Sequence, residues 1–335
     1  RNPKMVSLMN KHLKYFLYVL LLMQIVNVCN AENHNAHHKK VSQFGQYSGY
    51  SQREYDGYER ESKYVAVRDG TRLAVDIFYP TRKGERAKEK LPTLIYITHY
   101  VRAALQEDGR LTTYFKIEEE ESQARFLLEH GYAIVAVDTR GSGASFGQRP
   151  NWESFYAVSG RDSYDLIEWA AQQPWSTGKI GMFGASFMGH QQIAAAAENP
   201  PALKAIIPGA HTFLGVVDSS GSPRQSIAIY TSAMSRMDNR EDGKVGAEIK
   251  QRGIDTKGQK SHLRLKKRSK KRVAPVDGPD GIVLLAQAIE QHNIAKQYFL
   301  TPAKIIEAYS SSEIFKSRFE ISSKAISSKI PVYSF

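Results

Sequence analysis

KIGMFGASFMG, residues 179–189, is a short apolar run followed at once by small residues, Ser186 and a helix-forming segment. A buried strand that turns sharply into a helix needs small residues at the turn, because a larger side chain would strike the neighbouring strand or helix. Such a turn exposes the Ser186 hydroxyl where the first N–H groups of the helix face a developing negative charge. The spacing is G-x-S-x-x-G rather than the usual G-x-S-x-G, so a turn used only for packing is the alternative. The pattern favours a nucleophilic serine.

Apolar runs and amphipathic segments alternate on both sides of this turn. Continuous apolar runs predict buried strands, and apolar residues spaced three and four apart predict helices. An Asp-Gly pair between two alternating runs, Tyr64–Val67 and Thr71–Tyr79, predicts a hairpin. The other predicted strands are Leu94–Thr98, Ala133–Val137, Lys179–Phe183 and Ala205–Ile207, and the predicted helices are Glu118–Glu129, Asp162–Gln172 and Met188–Glu198. This order predicts an α/β fold with a parallel sheet.

The pattern divides the 335 residues into five segments. The alternation of strands and helices ends near residue 212, and the part that follows is helical in pattern, at Gly281–Gln291 and Pro302–Tyr309. Ile330–Tyr333 (IPVY) then resumes a strand pattern. We predict a signal peptide over 1–31, a polar linker over 32–61, the N-terminal part of the core over 62–212, a helical cap over 213–325 and the start of a returning core strand over 326–335.

The first 31 residues resemble a secretory signal. Lys11 and Lys14 precede the apolar run YFLYVLLLMQIVNV, residues 15–28, and we predict cleavage after Ala31. A membrane anchor is the alternative, but the run is shorter than the roughly 20 residues that span a bilayer. A lipid anchor on Cys29, the only cysteine, is a further alternative, although the residue before it is not small. We therefore expect a periplasmic or secreted chain without stable membrane insertion after cleavage.

The formal net charge of +12 comes from two segments. Four basic residues and no acid lie in residues 1–31, and Lys257–Arg272 contains nine lysine and arginine residues and no acid. The rest of the chain is close to neutral. Because the basic run has no interleaved aromatic residues, we expect a solvated loop and no nucleic-acid binding. The histidines between residues 34 and 38 lie in the polar linker, where nothing would hold them in a fixed arrangement around a metal ion, so no metal site is assigned.

The segment after the second buried strand contains a glycine motif that could suggest a cofactor site, and a nearby pair of opposite charges. Gly141-Ser142-Gly143 lacks the G-x-G-x-x-G spacing and helix of a dinucleotide site, so we expect no cofactor there. Asp138 and Arg140 are interpreted as a structural pair that fixes this loop.

Four segments resemble the cocaine esterase and X-Pro dipeptidyl-peptidase group of serine hydrolases. They are VRDGTRLAVDIFYP at 67–80, THY at 98–100, VDTRGSGASFG at 137–147 and DSYDLIEWAAQQPWSTGKIGMFGASFMG at 162–189. The resemblance covers residues 64–211 and continues more weakly to residue 335, with PVDGPDG at 275–281 similar to a cap stretch. It implies an α/β-hydrolase sheet with a helical cap insertion.

The resemblance also implies the site residues. Ser186 is the acylated nucleophile, and the Tyr100 phenol and the Phe187 backbone N–H donate hydrogen bonds to the oxyanion. The family usually has tyrosine where Phe187 stands, so a hydroxyl is missing here. The implied substrates are small acyl esters, amides or short peptides, with X-Pro peptides among them, and no cofactor or metal is implied.

A complete serine triad also needs an aspartate and a histidine later in the chain. In the family the aspartate follows the core strand after the cap, which Ile330–Tyr333 resembles, and the histidine comes later still. His190, His211, His262 and His292 do not occupy the family's position for the base. We therefore expect a C-terminally truncated sequence without the last core strands and the β-sandwich domain. The alternative function is an inactive remnant or binding module that keeps the fold without the triad.

Overall fold

The computed structural model describes residues 41–43, 46–48, 51–150, 154–209, 271–292, 320–321 and 323–333. The predicted signal peptide, the helix predicted over Pro302–Tyr309 and most of the basic run lie outside the described residues. Residues 1–52 form a unit by themselves, in which β1 (Val41–Gln43) pairs antiparallel with β2 (Gln46–Ser48). All other elements belong to the second unit, residues 53–335.

The described residues of the second unit form the strands and helices whose bounds follow, and residues 320–321 and 323–327 are also helical. Its strands are β3 (Gly57–Ala66), β4 (Arg72–Arg82), β5 (Glu85–Arg86), β6 (Leu91–Thr98), β7 (Ala103–Gln106), β8 (Leu111–Thr113), β9 (Ala133–Asp138), β10 (Ser176–Ala185), β11 (Leu203–Gly209) and β12 (Lys271–Val273). Its helices are α1 (Gln123–Glu129), α2 (Phe155–Ala171), α3 (Phe187–Glu198) and α4 (Gly281–Gln291).

The main sheet has the strand order β11-β10-β6-β9-β4-β3, with β5 paired to β4. Strands β11, β10, β6 and β9 run parallel, whereas β4 pairs antiparallel with both β9 and β3. The predicted hairpin and parallel sheet are therefore confirmed. A separate small sheet has the order β12-β7-β8 and is antiparallel.

The strand β9 shows how the sheet separates two cores. Val135 and Val137 point into the cluster that contains Leu166 and Ile193 of α2 and α3, whereas Ile134 and Ala136 point into the cluster that contains Leu128 of α1. All these side chains are buried. Because helices cover both faces, a central strand has no polar face, and this explains its continuously apolar sequence.

Several element boundaries differ from the sequence prediction. Helix α2 begins at Phe155 rather than at Asp162, and strand β6 begins at Leu91 rather than at Leu94. Strand β3 begins at Gly57, inside the predicted linker 32–61, because this edge strand pairs with β4 over its whole length despite its polar sequence. Helix α1 begins at Gln123 rather than at Glu118, because Ser122 Oγ accepts a hydrogen bond from Arg125 N and caps the helix there. Strand β12 lies inside the segment predicted as a helical cap, where it pairs with β7.

The predicted returning strand Ile330–Tyr333 touches the main sheet at one point. Val332 forms a parallel bridge with Ile206 of β11, and Ile206 N donates to Pro331 O at 3.0 Å. This stretch therefore lies along β11 on the side away from β10.

Tyr64 of β3 makes the stability of the fold sensitive to alkaline pH. Its hydroxyl donates to Ala144 O at 2.9 Å, and burial raises the pKa of Tyr64 to about 12. A raised pKa means that the folded state favours the neutral phenol, so this contribution to stability is complete below pH 10. It is lost as the pH rises from about 10 to about 12, at about 1.4 kcal/mol per pH unit.

We therefore expect Tyr64→Phe to flatten the alkaline loss of stability. Urea denaturation at pH 8, 10 and 11 measures the free energy of unfolding of both proteins. The variant should be less stable at pH 8, where the hydrogen bond is lost, and the difference should shrink by pH 11. A difference between the two proteins that stays constant across this range would contradict the prediction.

Candidate active site

Ser186 lies at the junction of β10 and α3, on a sharp backbone turn. It has φ 59° and ψ −120°, a conformation that side-chain-bearing residues rarely adopt, and its side chain is exposed. Gly184, two residues before, has φ +124°, and a Cβ on it would lie 2.8 Å from Met188 Cβ. A glycine is thus required at 184 for both its backbone angle and its space. The turn presents the Ser186 hydroxyl to solvent at the carboxyl end of a central strand.

Gln192, which the sequence analysis did not identify, fixes this turn from inside the fold. Its side chain is fully buried, and Nε2 donates to Gly184 O at 2.9 Å and to Met188 O at 3.2 Å. Its Oε1 accepts a hydrogen bond from Ile207 N of β11 at 2.8 Å. Ser186 N also donates to Gly209 O, at 2.9 Å. The turn is therefore tied to the neighbouring strand. In the sequence, a polar glutamine next to the alanines of α3 is the feature that could have indicated this buried role.

Tyr100 lies opposite Ser186, two residues after the end of β6. Its hydroxyl is 3.3 Å from Ser186 Oγ, within hydrogen-bond distance. Its ring stacks on Tyr114 with a centroid distance of 5.3 Å and an interplanar angle of 16°. Tyr100 N donates to Thr98 Oγ1 at 2.9 Å. The predicted nucleophile and the predicted phenol donor are therefore brought together by the end of β6 and the start of α3.

Phe187 is the first residue of α3 and is buried. N–H groups in the first turn of a helix have no acceptor within the helix, and they carry the positive end of its dipole. The ring of Phe187 packs against His99, with a centroid distance of 3.8 Å. Burial, and then the positive charge of Arg149, hold the pKa of His99 well below its usual range, so the imidazole is neutral at pH 7. The phenyl ring that replaces the family's tyrosine thus packs on an uncharged ring.

The described histidines after Ser186 have partners other than the serine. His190 Nδ1 is 3.1 Å from the Tyr156 hydroxyl, and His292 Nε2 donates to Ser145 O at 2.7 Å. His211 and His262 lie outside the described residues. Within the part of the chain that the structure describes, the hydrogen-bond partner of Ser186 Oγ is Tyr100, and no histidine nitrogen bonds to it.

Asp138 and Arg140 do not pair with each other, so that interpretation is wrong. Asp138 is fully buried and accepts hydrogen bonds from Arg102 N and Nη1, at 2.7 and 2.9 Å. Arg140 pairs instead with Asp162 and Asp69, with its Nη1 2.8 Å from Asp69 Oδ2. The partners come from distant parts of the chain, because the sheet brings β4, β6 and β9 side by side.

Two glycines in the loop after β9 lie so close to other atoms of the protein that a side chain would not fit. A Cβ on Gly141 would lie 2.3 Å from Arg149 N, and one on Gly143 would lie 2.4 Å from Asp138 Cγ. Both have positive φ, so they close the loop tightly on Asp138.

Among the described residues, no group of three or more histidine, cysteine, aspartate or glutamate side chains is arranged to hold a metal ion. None of the described helices is both long enough and apolar enough to cross a membrane.

A family profile matches the part of the chain that contains this site. The sequence profile of the X-Pro dipeptidyl-peptidase (S15) family matches residues 69–277, more than half of the chain. The chain belongs to this family. It is thus a member of an esterase and peptidase family of hydrolases, and its fold is that of an α/β-hydrolase.

Two curated relatives of this S15 family member are about one-third identical to it over part of the sequence. A proposed serine esterase of Mycobacterium bovis is 34% identical over 160 residues, which are 46% of this chain and 25% of that protein. Cocaine esterase of Rhodococcus sp. is 33% identical over 147 residues, 43% of this chain and 22% of that protein. The chain therefore spans about a quarter of the length of these curated relatives.

A solved structure is also similar to this chain. A CocE/NonD family hydrolase from Staphylococcus aureus is 28% identical, with a TM-score of 0.37, over 51% of this chain and 32% of that chain.

Proposed function

We propose that the chain acts as a serine hydrolase, which cleaves ester or amide bonds through an acyl-Ser186 intermediate. The observation that carries the proposal is the geometry of Ser186. An exposed serine, held at an unfavourable backbone angle at the start of a helix, has a phenol hydroxyl 3.3 Å from its Oγ. Strained backbone of this kind persists where the surrounding structure imposes it, and it is concentrated at functional sites.

The proposed reaction uses the described residues for attack and for charge stabilisation. Ser186 Oγ forms a bond to the carbonyl carbon while a base outside the described residues takes its proton, and the carbonyl electron pair moves onto oxygen. Tyr100 and the Phe187 N–H donate hydrogen bonds to this oxyanion, and each such donor typically contributes about 10²–10³ in rate. When the tetrahedral intermediate collapses, the bond to the alcohol or amine breaks and the leaving group receives the proton. Water then releases the acid by the same steps.

The proposed substrates are small acyl esters, amides or short peptides. One relative is a cocaine esterase, and the family takes its name from X-Pro dipeptidyl-peptidase. Both ester and X-Pro peptide substrates should therefore be assayed. Comparing p-nitrophenyl acyl esters with X-Pro-p-nitroanilides separates the two. If the X-Pro-p-nitroanilide is turned over faster than the p-nitrophenyl ester, this result would favour peptidase activity.

A fluorophosphonate probe tests the serine mechanism on the natural protein. The probe phosphonylates only an activated serine, and tryptic digestion locates the adduct. The peptide Ile180–Lys204 contains a single serine, Ser186, and no threonine or tyrosine. We expect the adduct mass on this peptide. A protein that stays unlabelled, or that is labelled only on other peptides, would contradict the proposal and favour the inactive remnant or binding module.

We also propose that the chain is exported and that residues 1–31 are removed. Two lysines before a 14-residue apolar run and an alanine at the cleavage point support this proposal. N-terminal sequencing of the protein from the periplasm or medium should begin at Glu32. A cytoplasmic protein that retains residues 1–31 would contradict it.

A further inference from the structure

Val101 lies between the proposed oxyanion donor and a buried arginine, in an unfavourable backbone conformation. Its φ is 74°, and a positive φ in a β-branched residue is a genuine outlier. The Val101 side chain is buried in a cluster with Leu285 and Ile289 of α4. Such a conformation persists only where neighbouring contacts impose it. The position of Tyr100 therefore depends on what holds the next two residues.

Arg102 supplies contacts that can impose this conformation. Among the residues that the structure describes, it is the largest fully buried side chain, with no exposed area. Its Nε donates to Asp76 Oδ1 at 2.9 Å, and its Nη1 donates to Asp138 Oδ2 at 2.9 Å. Its Nη2 donates to Ser62 Oγ at 3.0 Å. The guanidinium is thus fixed by strands β3, β4 and β9 at once.

The backbone of Arg102 is held as firmly as its side chain. Arg102 N donates to Asp138 Oδ1 at 2.7 Å, and Arg102 O accepts a hydrogen bond from Tyr114 N at 3.2 Å. Tyr114 is the residue whose ring stacks on Tyr100. Arg102 therefore constrains Tyr100 from two sides, through the intervening Val101 and through the ring of Tyr114.

The same guanidinium also reaches the segment after β12. Arg102 Nη1 donates to Ala274 O at 3.1 Å, and Nη2 donates to Pro275 O at 3.3 Å. Arg60 joins Asp76 to Asp277 in the same segment, with Nη1 3.1 Å from Asp277 Oδ1. The segment that leads into α4 and the loop that carries Tyr100 thus share one anchor.

We propose that Arg102 is a positioning residue that holds the Tyr100 phenol beside Ser186 by keeping Val101 at positive φ. This inference rests on the proposed function only in that Tyr100 is taken as the donor to the oxyanion. Without the guanidinium, Val101 can relax to negative φ, and the ring attached to the preceding residue then moves. A displacement of about 1 Å at a reacting group can cost about 10²-fold in rate.

Lysine at 102 is the informative substitution. Its single ammonium keeps the positive charge between Asp76 and Asp138 but cannot form the planar set of bonds that a guanidinium makes. We expect Arg102→Lys to slow fluorophosphonate labelling of Ser186 by about 10²-fold. Arg125→Lys is the matched control, because Arg125 is also mostly buried and ion-paired, to Glu129, but lies outside the Tyr100 loop.

A double-mutant cycle with Tyr100→Phe separates positioning from general disruption. If Arg102 acts through the Tyr100 hydroxyl, Arg102→Lys should have little further effect on labelling in the Tyr100→Phe background, whereas independent effects would multiply. Multiplying losses would overturn the proposal. If Arg102→Lys does not fold, Ser62→Ala removes one bond to the guanidinium and leaves both carboxylates. Its smaller loss should likewise vanish in the Tyr100→Phe background.

A fluorine signal tests the positioning without relying on Ser186 chemistry. The chain has 18 tyrosines, and in protein grown with 3-fluorotyrosine the Tyr100→Phe variant identifies the Tyr100 resonance. We expect this resonance to shift in Arg102→Lys and to stay in place in Arg125→Lys. An unchanged resonance would overturn the proposal. If the wild-type protein is not labelled at all, the proposed function fails, and the fluorine signal still decides the role of Arg102.

Discussion

Ser186→Ala is expected to abolish fluorophosphonate labelling of the peptide Ile180–Lys204 and to lower ester turnover by about 10⁶-fold. The substitution removes only the oxygen that we propose attacks the carbonyl carbon. Tyr100 and the start of α3 remain in place, so any residual rate comes from binding and from stabilisation of charge. Alanine keeps the Cβ and therefore the same backbone strain at φ 59°. The loss should consequently occur without a change in circular dichroism.

Two further variants control this experiment. Ser327→Ala removes an exposed serine near the end of the described chain and should leave labelling unchanged. Ser186→Gly should be as inert as Ser186→Ala but more stable by about 1 kcal/mol. Glycine relieves the backbone strain, which is of order 1–3 kcal/mol. It also makes the unfolded chain more flexible, which destabilises the folded state by about 0.4–1 kcal/mol. Urea denaturation compares the two. Labelling that persists on Ile180–Lys204 in Ser186→Ala would show that the adduct formed elsewhere.

The sequence predicts the part of the site that is built from neighbouring residues. The strand, the turn and the helix around Ser186 follow one another within KIGMFGASFMG, and the tight turn restricts the residue types that fit there. The buried strand β9 and the hairpin of β3 and β4 are visible for the same reason, because their patterns are local. Tyr100 is placed by resemblance alone, since a tyrosine after a strand has no local signature of a donor.

The buried ion pairs are not visible in the sequence, because their partners are far apart along the chain. Arg102 is 26 residues from Asp76 and 36 from Asp138. Charged residues are rarely fully buried, so an arginine after a strand is expected at the surface. Only the order of the strands brings the three together. Proximity in sequence instead suggested a pair between Asp138 and Arg140, which the fold separates.

Asp138→Ala is expected to lower the free energy of unfolding by about 3–5 kcal/mol. Asp138 is completely buried, and its loss leaves Arg102 with Asp76 as its remaining carboxylate. It also removes the acceptor for two backbone N–H groups, those of Arg102 and Ala144. Because a folded domain is typically stable by only about 5–15 kcal/mol, this loss should bring the protein close to unfolding at 37 °C.

Asp69→Ala is the matched control for this loss. Asp69 is also paired with an arginine, Arg140, so the same negative charge is removed, but half of its side chain is exposed. Exposed pairs contribute little, because water already solvates both charges, and we expect a change within about 1 kcal/mol. Denaturation by guanidinium chloride at pH 7 measures the free energy of unfolding of both variants. Similar stabilities for Asp138→Ala and Asp69→Ala would mean that solvent reaches the buried network, whereas a difference of several kcal/mol identifies Asp138 as an ion that the fold depends on.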